Sequence, residues 1–561
     1  MIRSTLMAGL AILGSAAAFA APPAAPPAAA VATARHSFGP EISAEDFRAH
    51  VQTLASDEFA GRAPGGVGET KTVEYLIAQL QRLGLKPGNS GAWTQDVPMT
   101  ETKADDKAST FTLTTAKQTL TPAIGPDVVI GTRTGQPDVS IDASELVFVG
   151  YGVNAPEAGW NDYEGLDVTG KTVVMLINDP GFHVGSETLF GGKRMTYYGR
   201  WTYKFEEAAR QGAKAALIIH DDAGAAYPWE VVQNSWGGPQ FDLPPSEDPE
   251  PRLPAQGWIN AATANALFAD AGLDFEAQRT AANQAGFKAV PLNATFSLDL
   301  KSSSRTATSQ NVIAVLPGST HPDEAIVYTA HWDHLGRNFS GVGDRIFNGA
   351  VDNATGVAGV LEIAEAFTVQ RPAPERSIVF LFVTLEESGL LGSKYYAAHP
   401  VIPLENTVGV INLDAMSVIG PTKELVVIGL GNSTLDDVAR GLAERQGRVL
   451  VEESSPQNGY FFRSDHFNFA KEGVPALYAK GGVDHAERGR DYGLAWMADY
   501  TAVRYHKVGD NYDAAWDLRG TMQDLQLLYG VGRTLGSNRE WPNYVEGNAF
   551  RKSEQRGGAG G

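Results

Sequence analysis

The feature that most constrains this fold is a regular alternation of strand-like and helix-like segments between about residues 310 and 540. Short runs of aliphatic and aromatic residues are followed by longer segments with apolar residues at helical spacing. This alternation is typical of a mostly parallel sheet covered by helices. We therefore predict an α/β fold with a mixed, mostly parallel central sheet flanked by helices. The predicted strands are NVIAVL, AIVYTA, SIVFLFVTL, TVGVINLD, LVVIGL and VPALYA, and the predicted helices include 352–367, 434–446 and 522–535.

The segment 141–290 differs from the rest of the chain. ELVFVGYGV and KTVVMLIND are strand-like runs, and YKFEEAARQGAKAALIIHD predicts a helix, a glycine stop and a buried strand. This pattern predicts a self-contained, β-rich module. Ahead of it, residues 42 to about 85 predict two helices, with Ser43 as the N-cap of the first and a polar loop, DEFAGR, between them.

The first 20 residues have the features of a secretory signal peptide. Arg3 supplies the positive charge, an apolar run follows, and Ala18-Phe19-Ala20 is a small-residue cleavage site. The alternative is a short transmembrane anchor, although the run is short and rich in alanine. Residues 21–40 predict a disordered Ala/Pro-rich leader, and 546–561 a disordered tail. We expect a periplasmic or secreted protein.

Composition excludes several classes of function. The formal net charge is −20 and no basic run is present, which argues against a nucleic-acid partner. Beyond the N-terminus no segment has 18 uninterrupted apolar residues, so we expect no stable membrane insertion. The chain contains no cysteine, so any metal ion must be held by His, Asp and Glu.

Ionisable residues follow several of the predicted strands. His331 ends AIVYTAH, Glu386 and Glu387 follow SIVFLFVTL, and Asp414 follows TVGVINL. Asp352 opens a glycine-flanked helix. Because ligands bind at the carboxyl ends of strands in open α/β sheets, we expect these groups to meet in one crevice.

His506 adds a second histidine from a loop-like stretch. Two histidines and three carboxylates suit Zn²⁺ or another borderline divalent ion, and they suit two ions about 3.5–4 Å apart better than one. Adjacent strand-end residues point in different directions, so one glutamate of the Glu386-Glu387 pair can bind metal while the other acts as a general base. Taken singly, the same residues have simpler interpretations: Asp352 as a helix N-cap and the glutamate pair as a solvated turn.

Five segments resemble the zinc-dependent exopeptidase family of bacterial secreted aminopeptidases and glutamate carboxypeptidase. They occur in the family's order and cover roughly 309–536. The helical N-terminal segment resembles the start of the same catalytic domain, and 141–290 resembles an inserted protease-associated (PA) domain. The resemblance implies a hydrolase-like zinc peptidase domain formed by 41–140 and 291–545. The five segments are AHWDHLG, NGAVDNATGVAGVLEIA, TLEESGLLGS, INLDAM and YHKVGD.

The resemblance also implies a role for each residue. Asp352 would bridge two zinc ions, with Glu387 and His506 on one ion and His331 and Asp414 on the other. The Asp352–Asn353 peptide would be cis.

Three further residues take catalytic roles by the same resemblance. Glu386 would be the general base, and Asp333 would accept a hydrogen bond from His331. Tyr505 would donate to the oxyanion, with plain packing as its alternative. His334 is expected to be structural, and the segment 463–466 (RSDH) to lie near the cleft.

The function implied is an exported two-zinc aminopeptidase that acts on a peptide or protein substrate, with an oligomeric state that the sequence does not define. The alternatives are a metal-dependent carboxypeptidase or dipeptidase and a non-catalytic, receptor-like ectodomain. Acidic residues near the metals favour a substrate ammonium group, whereas Arg488 and Arg490 are the candidates for a substrate carboxylate.

Overall fold

The computed structural model describes residues 36–338 and 343–552. The chain divides into two compact units, 1–37 and 38–561, and the architecture below is that of the second. The predicted signal peptide lies outside the described residues, as do most of the leader and residues 553–561 of the predicted tail. None of the described helices is long and apolar enough to span a bilayer.

The structure contains both long and very short strands. In chain order they are β1 (Lys86–Pro87), β2 (Thr94–Ala104), β3 (Thr110–Thr115), β4 (Thr119–Leu120), β5 (Val128–Gly131), β6 (Asp138–Phe148), β7 (Asn154–Ala155), β8 (Trp160–Asn161), β9 (Thr172–Leu176), β10 (Ala215–Ile219), β11 (Gln240–Asp242), β12 (Ala255–Ile259), β13 (Val290–Leu316), β14 (His321–His331), β15 (Gly336–Arg337), β16 (Ile346–Phe347), β17 (Arg376–Val383), β18 (Thr407–Asn412), β19 (Glu424–Val427), β20 (Val449–Glu452) and β21 (Ala476–Gly481).

The α-helices are named in the same way. They are α1 (Ala44–Leu54), α2 (Val67–Arg82), α3 (Trp201–Arg210), α4 (Asp222–Ala225), α5 (Trp229–Trp236), α6 (Ala261–Asp270), α7 (Phe275–Ala281), α8 (Thr355–Val369), α9 (Leu391–Ala398), α10 (Leu435–Arg445), α11 (His466–Lys471), α12 (Arg490–Val503) and α13 (Arg519–Gly536).

The central sheet has the strand order β11-β2-β13-β17-β14-β18-β21-β19-β20. Its middle strands β17, β14, β18 and β21 are parallel. Every residue of β17 and β18 is buried, as expected for parallel strands covered on both faces. This confirms the predicted α/β fold with its mostly parallel central sheet.

Helices cover both faces of the central sheet. On one face α1, α2, α8 and α13 form the largest apolar core, which includes Phe47, Leu76, Leu361 and Leu528. On the other, Tyr396 of α9 packs against Phe469 of α11. The predicted N-cap is confirmed, because the Ser43 hydroxyl accepts the N–H of Asp46 at 3.1 Å.

A second sheet contains most of the β-rich segment. Its order is β4-β3-β13-β6-β9-β10-β12-β5, and β13 passes from this sheet into the central one. β3 and β5 precede residue 141, where we predicted the module to begin. They belong to this sheet because β3 pairs with β13 and β5 with β12.

Two predicted boundaries also differ near the ends of the chain. Residues 38–40 were expected in the disordered leader, but the Phe38 ring stacks on His50 at 4.4 Å. Residues 546–552 were expected in the tail, but Phe550 stacks on Phe461 at 5.6 Å. In both places an aromatic side chain stacks on a second aromatic ring and extends the packed part of the chain.

Candidate metal centre

The ionisable residues selected from the sequence lie together at the carboxyl edge of the central sheet. His331 is the last residue of β14. Glu386 and Glu387 follow β17, and Asp414 follows β18. Asp352 lies in a π-helical turn, Ala350–Ala354, just before α8. Parallel strands point their carboxyl ends at the same crevice, which is why distant segments meet here.

The two carboxylate oxygens of Asp352 face two different histidines. His331 Nε2 lies 3.3 Å from Asp352 Oδ1, and His506 Nε2 lies 3.4 Å from Asp352 Oδ2. Asp414 Oδ1 is 3.7 Å from His331 Nε2, and Glu387 Oε2 is 3.0 Å from His506 Nε2.

These separations match a zinc site. In a tetrahedral site with bonds of about 2.0–2.1 Å, ligand atoms lie roughly 3.3 Å apart. Nitrogen and carboxylate oxygen donors are those that zinc accepts in the absence of cysteine. The residues therefore fit the metal that the sequence implies, with Asp352 placed between two histidine–carboxylate pairs.

Hydrogen bonds between side chains and the main chain fix the turn that carries Asp352. The Asp510 carboxylate accepts the N–H groups of Val351 and Asp352, both at 3.0 Å. Asn353 donates to the carbonyl of Leu413 at 3.0 Å, which ties the turn to the segment that carries Asp414. The Asp352–Asn353 peptide is cis, as the resemblance implies.

Glu386 lies at the edge of this group, where it also lines the cavity. Its Oε2 is 3.9 Å from His331 Nε2, and its N–H donates to Asp333 Oδ1 at 3.1 Å. Burial raises the pKa of the Glu386 carboxyl well above its ordinary value, and the neighbouring Glu387 charge raises it further. A carboxyl group with a raised pKa beside a metal site can accept and return protons.

Asp333 differs from the prediction in one respect. The expected hydrogen bond from His331 goes to the main-chain carbonyl of Asp333, at 3.2 Å, while the Asp333 carboxylate lies 3.9 Å from the same ring nitrogen. The carboxylate instead holds the main chain of Glu386. Burial raises the pKa of Asp333 to about 7. Asp333 therefore links the two strand ends that carry His331 and Glu386.

His334, expected to be structural, contacts the candidate centre directly. Its Nδ1 lies 2.6 Å from Glu387 Oε1, the oxygen that is not paired with His506. A hydrogen bond of this kind orients a ligating carboxylate. The sequence offered a signal for it, because His334 lies three residues after His331 in AHWDHLG.

Arg62 is a structural partner of the site that sequence reasoning missed. Its side chain is buried and donates to four main-chain carbonyls, with distances of 2.7–2.9 Å. Burial lowers its pKa to about 10, and the charges of Asp510 and Asp352 partly offset this. The carbonyls belong to Leu54, Trp332, Asn348 and Gly349. Arg62 thus joins the loop after β14 to the turn that carries Asp352.

Tyr505 packs on His506, one of the candidate metal ligands. Its ring stacks on that of His506 with centroids 4.1 Å apart, and it lines the cavity. Of the RSDH segment, Ser464 accepts a hydrogen bond from Asn412, the last residue of β18, at 2.7 Å. Burial lowers the pKa of His466 to about 3, so this histidine is neutral at pH 7.

A cavity of about 320 Å³ opens in front of these groups. One side is the candidate metal centre, with Asp352, Glu386 and His506. The other side comes from the β-rich segment, including Trp201 and Tyr227. The β-rich segment thus forms a wall of the cavity.

Comparison with known proteins agrees with this geometry. Residues 311–529 match the model of Peptidase family M28. A probable zinc metalloprotease of Pyrenophora tritici-repentis is 28% identical over 244 residues, which are 42% of this chain and 52% of that protein. One from Pyricularia oryzae is 39% identical over 212 residues, which are 36% of this chain and 41% of that protein. The chain thus spans about half the length of the curated relatives it matches.

A solved structure supports the fold as a whole. The aminopeptidase from Aneurinibacillus sp. strain AM-1 superposes with a TM-score of 0.50 and 19% identity, over 89% of this chain and 95% of that one. At this identity the match concerns the fold alone.

The predicted periplasmic or secreted location is contradicted by the relatives. A vacuolar membrane protease of Botryotinia fuckeliana is 26% identical over 163 residues, which are 28% of this chain and 14% of that protein. A protein of the same name from Sclerotinia sclerotiorum matches at the same identity and length. Relatives of this chain are therefore named for a different compartment.

The geometry of the candidate metal site and the shared fold agree with the match of residues 311–529 to the model of Peptidase family M28.

Proposed function

We propose that this chain is a metallopeptidase that binds two zinc ions and removes residues from the N-terminus of peptides. The observation that carries the proposal is Asp352, whose two oxygens each face a different histidine–carboxylate pair. A single carboxylate placed in this way suits two ions that share one ligand.

The chemistry follows from the residues around that centre. When bound, the ions would polarise the scissile carbonyl and lower the pKa of a water molecule in the site. Glu386 takes the proton from the attacking water and returns it to the leaving amine. The Asp333 carboxylate accepts the main-chain N–H of Glu386 at 3.1 Å and so holds Glu386 in place. Tyr505 faces the cavity beside His506, where its hydroxyl is a candidate donor to the developing oxyanion.

Action at the N-terminus is supported by the acidic character of the centre. The side chains of Glu386 and Asp414 are 10% and 13% exposed and line the cavity, where they can receive a substrate ammonium group. The structural relative from Aneurinibacillus is named an aminopeptidase, which agrees with this proposal. All five candidate ligands and the candidate base lie together, an arrangement that favours an enzyme over a receptor-like ectodomain.

The direct test compares a peptide that has a free amino terminus with its N-acetylated form, with and without a chelator. We expect cleavage of the free peptide alone, loss of that activity on chelation, and recovery when zinc is restored. Equal cleavage of the acetylated peptide would exclude an aminopeptidase. Undiminished activity after complete metal removal would exclude a metallopeptidase.

A further inference from the structure

Of the arginines that line the cavity, Arg133, Arg200 and Arg463 have no carboxylate partner in the described part of the chain. Arg200 precedes α3 and is 9% exposed. Its Nε is buried and makes no hydrogen bond to any residue that the structure describes. The Nε of Arg463 is in the same condition, although another nitrogen of its guanidinium group donates to the Ala225 carbonyl at 3.0 Å. Buried cations are ordinarily paired, so these arginines stand out.

A continuous row of aromatic rings connects Arg463 with the metal centre. The Arg463 guanidinium lies 5.4 Å from the centre of the Tyr227 ring. The ring centres of Tyr227 and Tyr505 are 6.5 Å apart, and the Tyr505 ring stacks on His506. Arg463 is thus separated from a candidate metal ligand by two aromatic rings, in the same cavity.

The positive charges of Arg200 and Arg463 also repel each other. Burial lowers the pKa of Arg200 to about 10, and the like charge of Arg463 lowers it further. Two like charges held together in a buried place are unfavourable unless an anion joins them. A negatively charged group bound between Arg200 and Arg463 would therefore stabilise the two charges.

Acidic residues elsewhere in the cavity wall do not neutralise Arg200 or Arg463, because these acidic residues pair with other side chains. The pairs are Glu206 with the Tyr197 hydroxyl at 2.8 Å, Glu424 with Arg490 at 3.3 Å, and Glu452 with Arg194 at 3.0 Å. The two arginines that the sequence suggested for a substrate carboxylate already have partners. Arg490 is the partner of Glu424, and Arg488 lies over the Tyr492 ring at 4.6 Å.

We propose that Arg200 and Arg463 form a subsite for a substrate carboxylate. Guanidinium groups bind carboxylates with paired, charge-assisted hydrogen bonds, and the side chains of Arg200 and Arg463 both line the cavity. The carboxylate comes from the C-terminus of a di- or tripeptide or from an acidic side chain next to the scissile bond. This inference rests on the proposed peptidase function and names its substrate class: short or acidic peptides.

The test measures kcat/KM for two pairs of peptides with free amino termini. One pair is Leu-Ala and its C-terminal amide, and the other is Leu-Glu-Ala amide and Leu-Gln-Ala amide. We expect the wild type to prefer the carboxylate member of at least one pair by about 10- to 100-fold, as expected for charge-assisted hydrogen bonds. The pair that shows the preference identifies the source of the carboxylate.

Substitution then assigns the preference to the two arginines. Arg200→Met and Arg463→Met should each reduce it to about 3-fold or less, mainly through KM for the carboxylate peptide, with the amide peptide little affected. The control is Arg210→Gln, at a surface arginine of α3 that is paired with Glu207 and does not line the cavity. Arg210→Gln should keep the full preference. Thermal unfolding of each variant checks that it is folded under the assay conditions.

The outcomes separate this inference from the function on which it rests. Equal cleavage within both peptide pairs by the wild type would overturn the subsite and leave the aminopeptidase proposal standing. A preference that survives in both folded arginine variants would also overturn it. Failure to cleave any of the four peptides, despite bound zinc, would instead count against the proposed function.

Discussion

Glu386 and Glu387 are adjacent in the sequence but have different surroundings. Glu387 lies between two histidines, with one oxygen 3.0 Å from His506 Nε2 and the other 2.6 Å from His334 Nδ1. Glu386 has its nearest histidine nitrogen 3.9 Å away and lines the cavity. The difference agrees with the proposed roles of Glu387 as a metal ligand and Glu386 as a proton carrier.

Replacing the carboxyl group of Glu386 tests that separation. Glu386→Gln keeps the size of the side chain and removes its ability to accept a proton. We expect the variant to bind as much zinc as the wild type and to lose about 10²- to 10⁴-fold in kcat. Metal analysis together with steady-state kinetics provides the measurement. The control Glu250→Gln removes an exposed carboxylate, 61% exposed, and should change neither quantity. Near-normal kcat in metal-loaded Glu386→Gln would reject Glu386 as the base.

At the scale of elements, α1 and α8 meet at a buried carboxyl group. Glu362 of α8 is 1% exposed and accepts the N–H of Ser43, the N-cap of α1, at 2.8 Å. Burial raises the pKa of Glu362 to about 8. Since an unfolded glutamate has a pKa of about 4.3, the folded state holds the extra proton between these two values. Stability should therefore fall as pH rises from about 5 to 8.

The variant Glu362→Gln should remove that dependence. We expect the wild type to lose roughly 1.4 kcal/mol of unfolding free energy per pH unit relative to the variant across this window. Urea unfolding at several pH values measures the difference. Glu74→Gln, on the exposed side of α2, controls for the loss of one charge. Parallel pH profiles for the wild type and Glu362→Gln would show that Glu362 is ionised in the folded protein.

Arg62 acts between elements, because its guanidinium joins α1, the loop after β14 and the segment before Asp352. A lysine keeps the charge but cannot span four carbonyls with one ammonium group. Arg62→Lys should lower the free energy of unfolding on the order of 3 kcal/mol and weaken zinc binding about 10- to 100-fold. Chemical denaturation and zinc titration provide the two readings. Arg440→Lys, on the exposed face of α10, should match the wild type in both. Normal zinc affinity in folded Arg62→Lys would limit Arg62 to a role in stability.

At the scale of the whole molecule, the sequence predicted those features that follow from the spacing of apolar residues and from the order of strands and helices. Residues that follow buried parallel strands must meet at one edge, so His331, Glu387 and Asp414 could be brought together on paper. Arg62 could not be predicted in this way, because its partners are main-chain carbonyls that leave no side-chain pattern. The unpaired state of Arg200 is likewise visible only when distances to every described acidic group are known.

The sequence did not assign β5 to the β-rich sheet for a related reason. β5 has only four residues, and a run of this length has no clear period by itself. Its place is fixed by pairing with β12, more than 100 residues further on. Similarly, β13 runs for 27 residues through two sheets, whereas the sequence predicted only its last part, NVIAVL.

The central claim is that one carboxylate, Asp352, joins two metal positions in a peptidase site. Titration of the metal-free enzyme with zinc, following the cleavage of a free-amino peptide, tests it most directly. We expect activity to reach its maximum at two zinc ions per chain, and Asp352→Asn to lose high-affinity zinc binding and activity together. Full activity without added metal, or with Asp352→Asn at wild-type zinc content, would contradict the account.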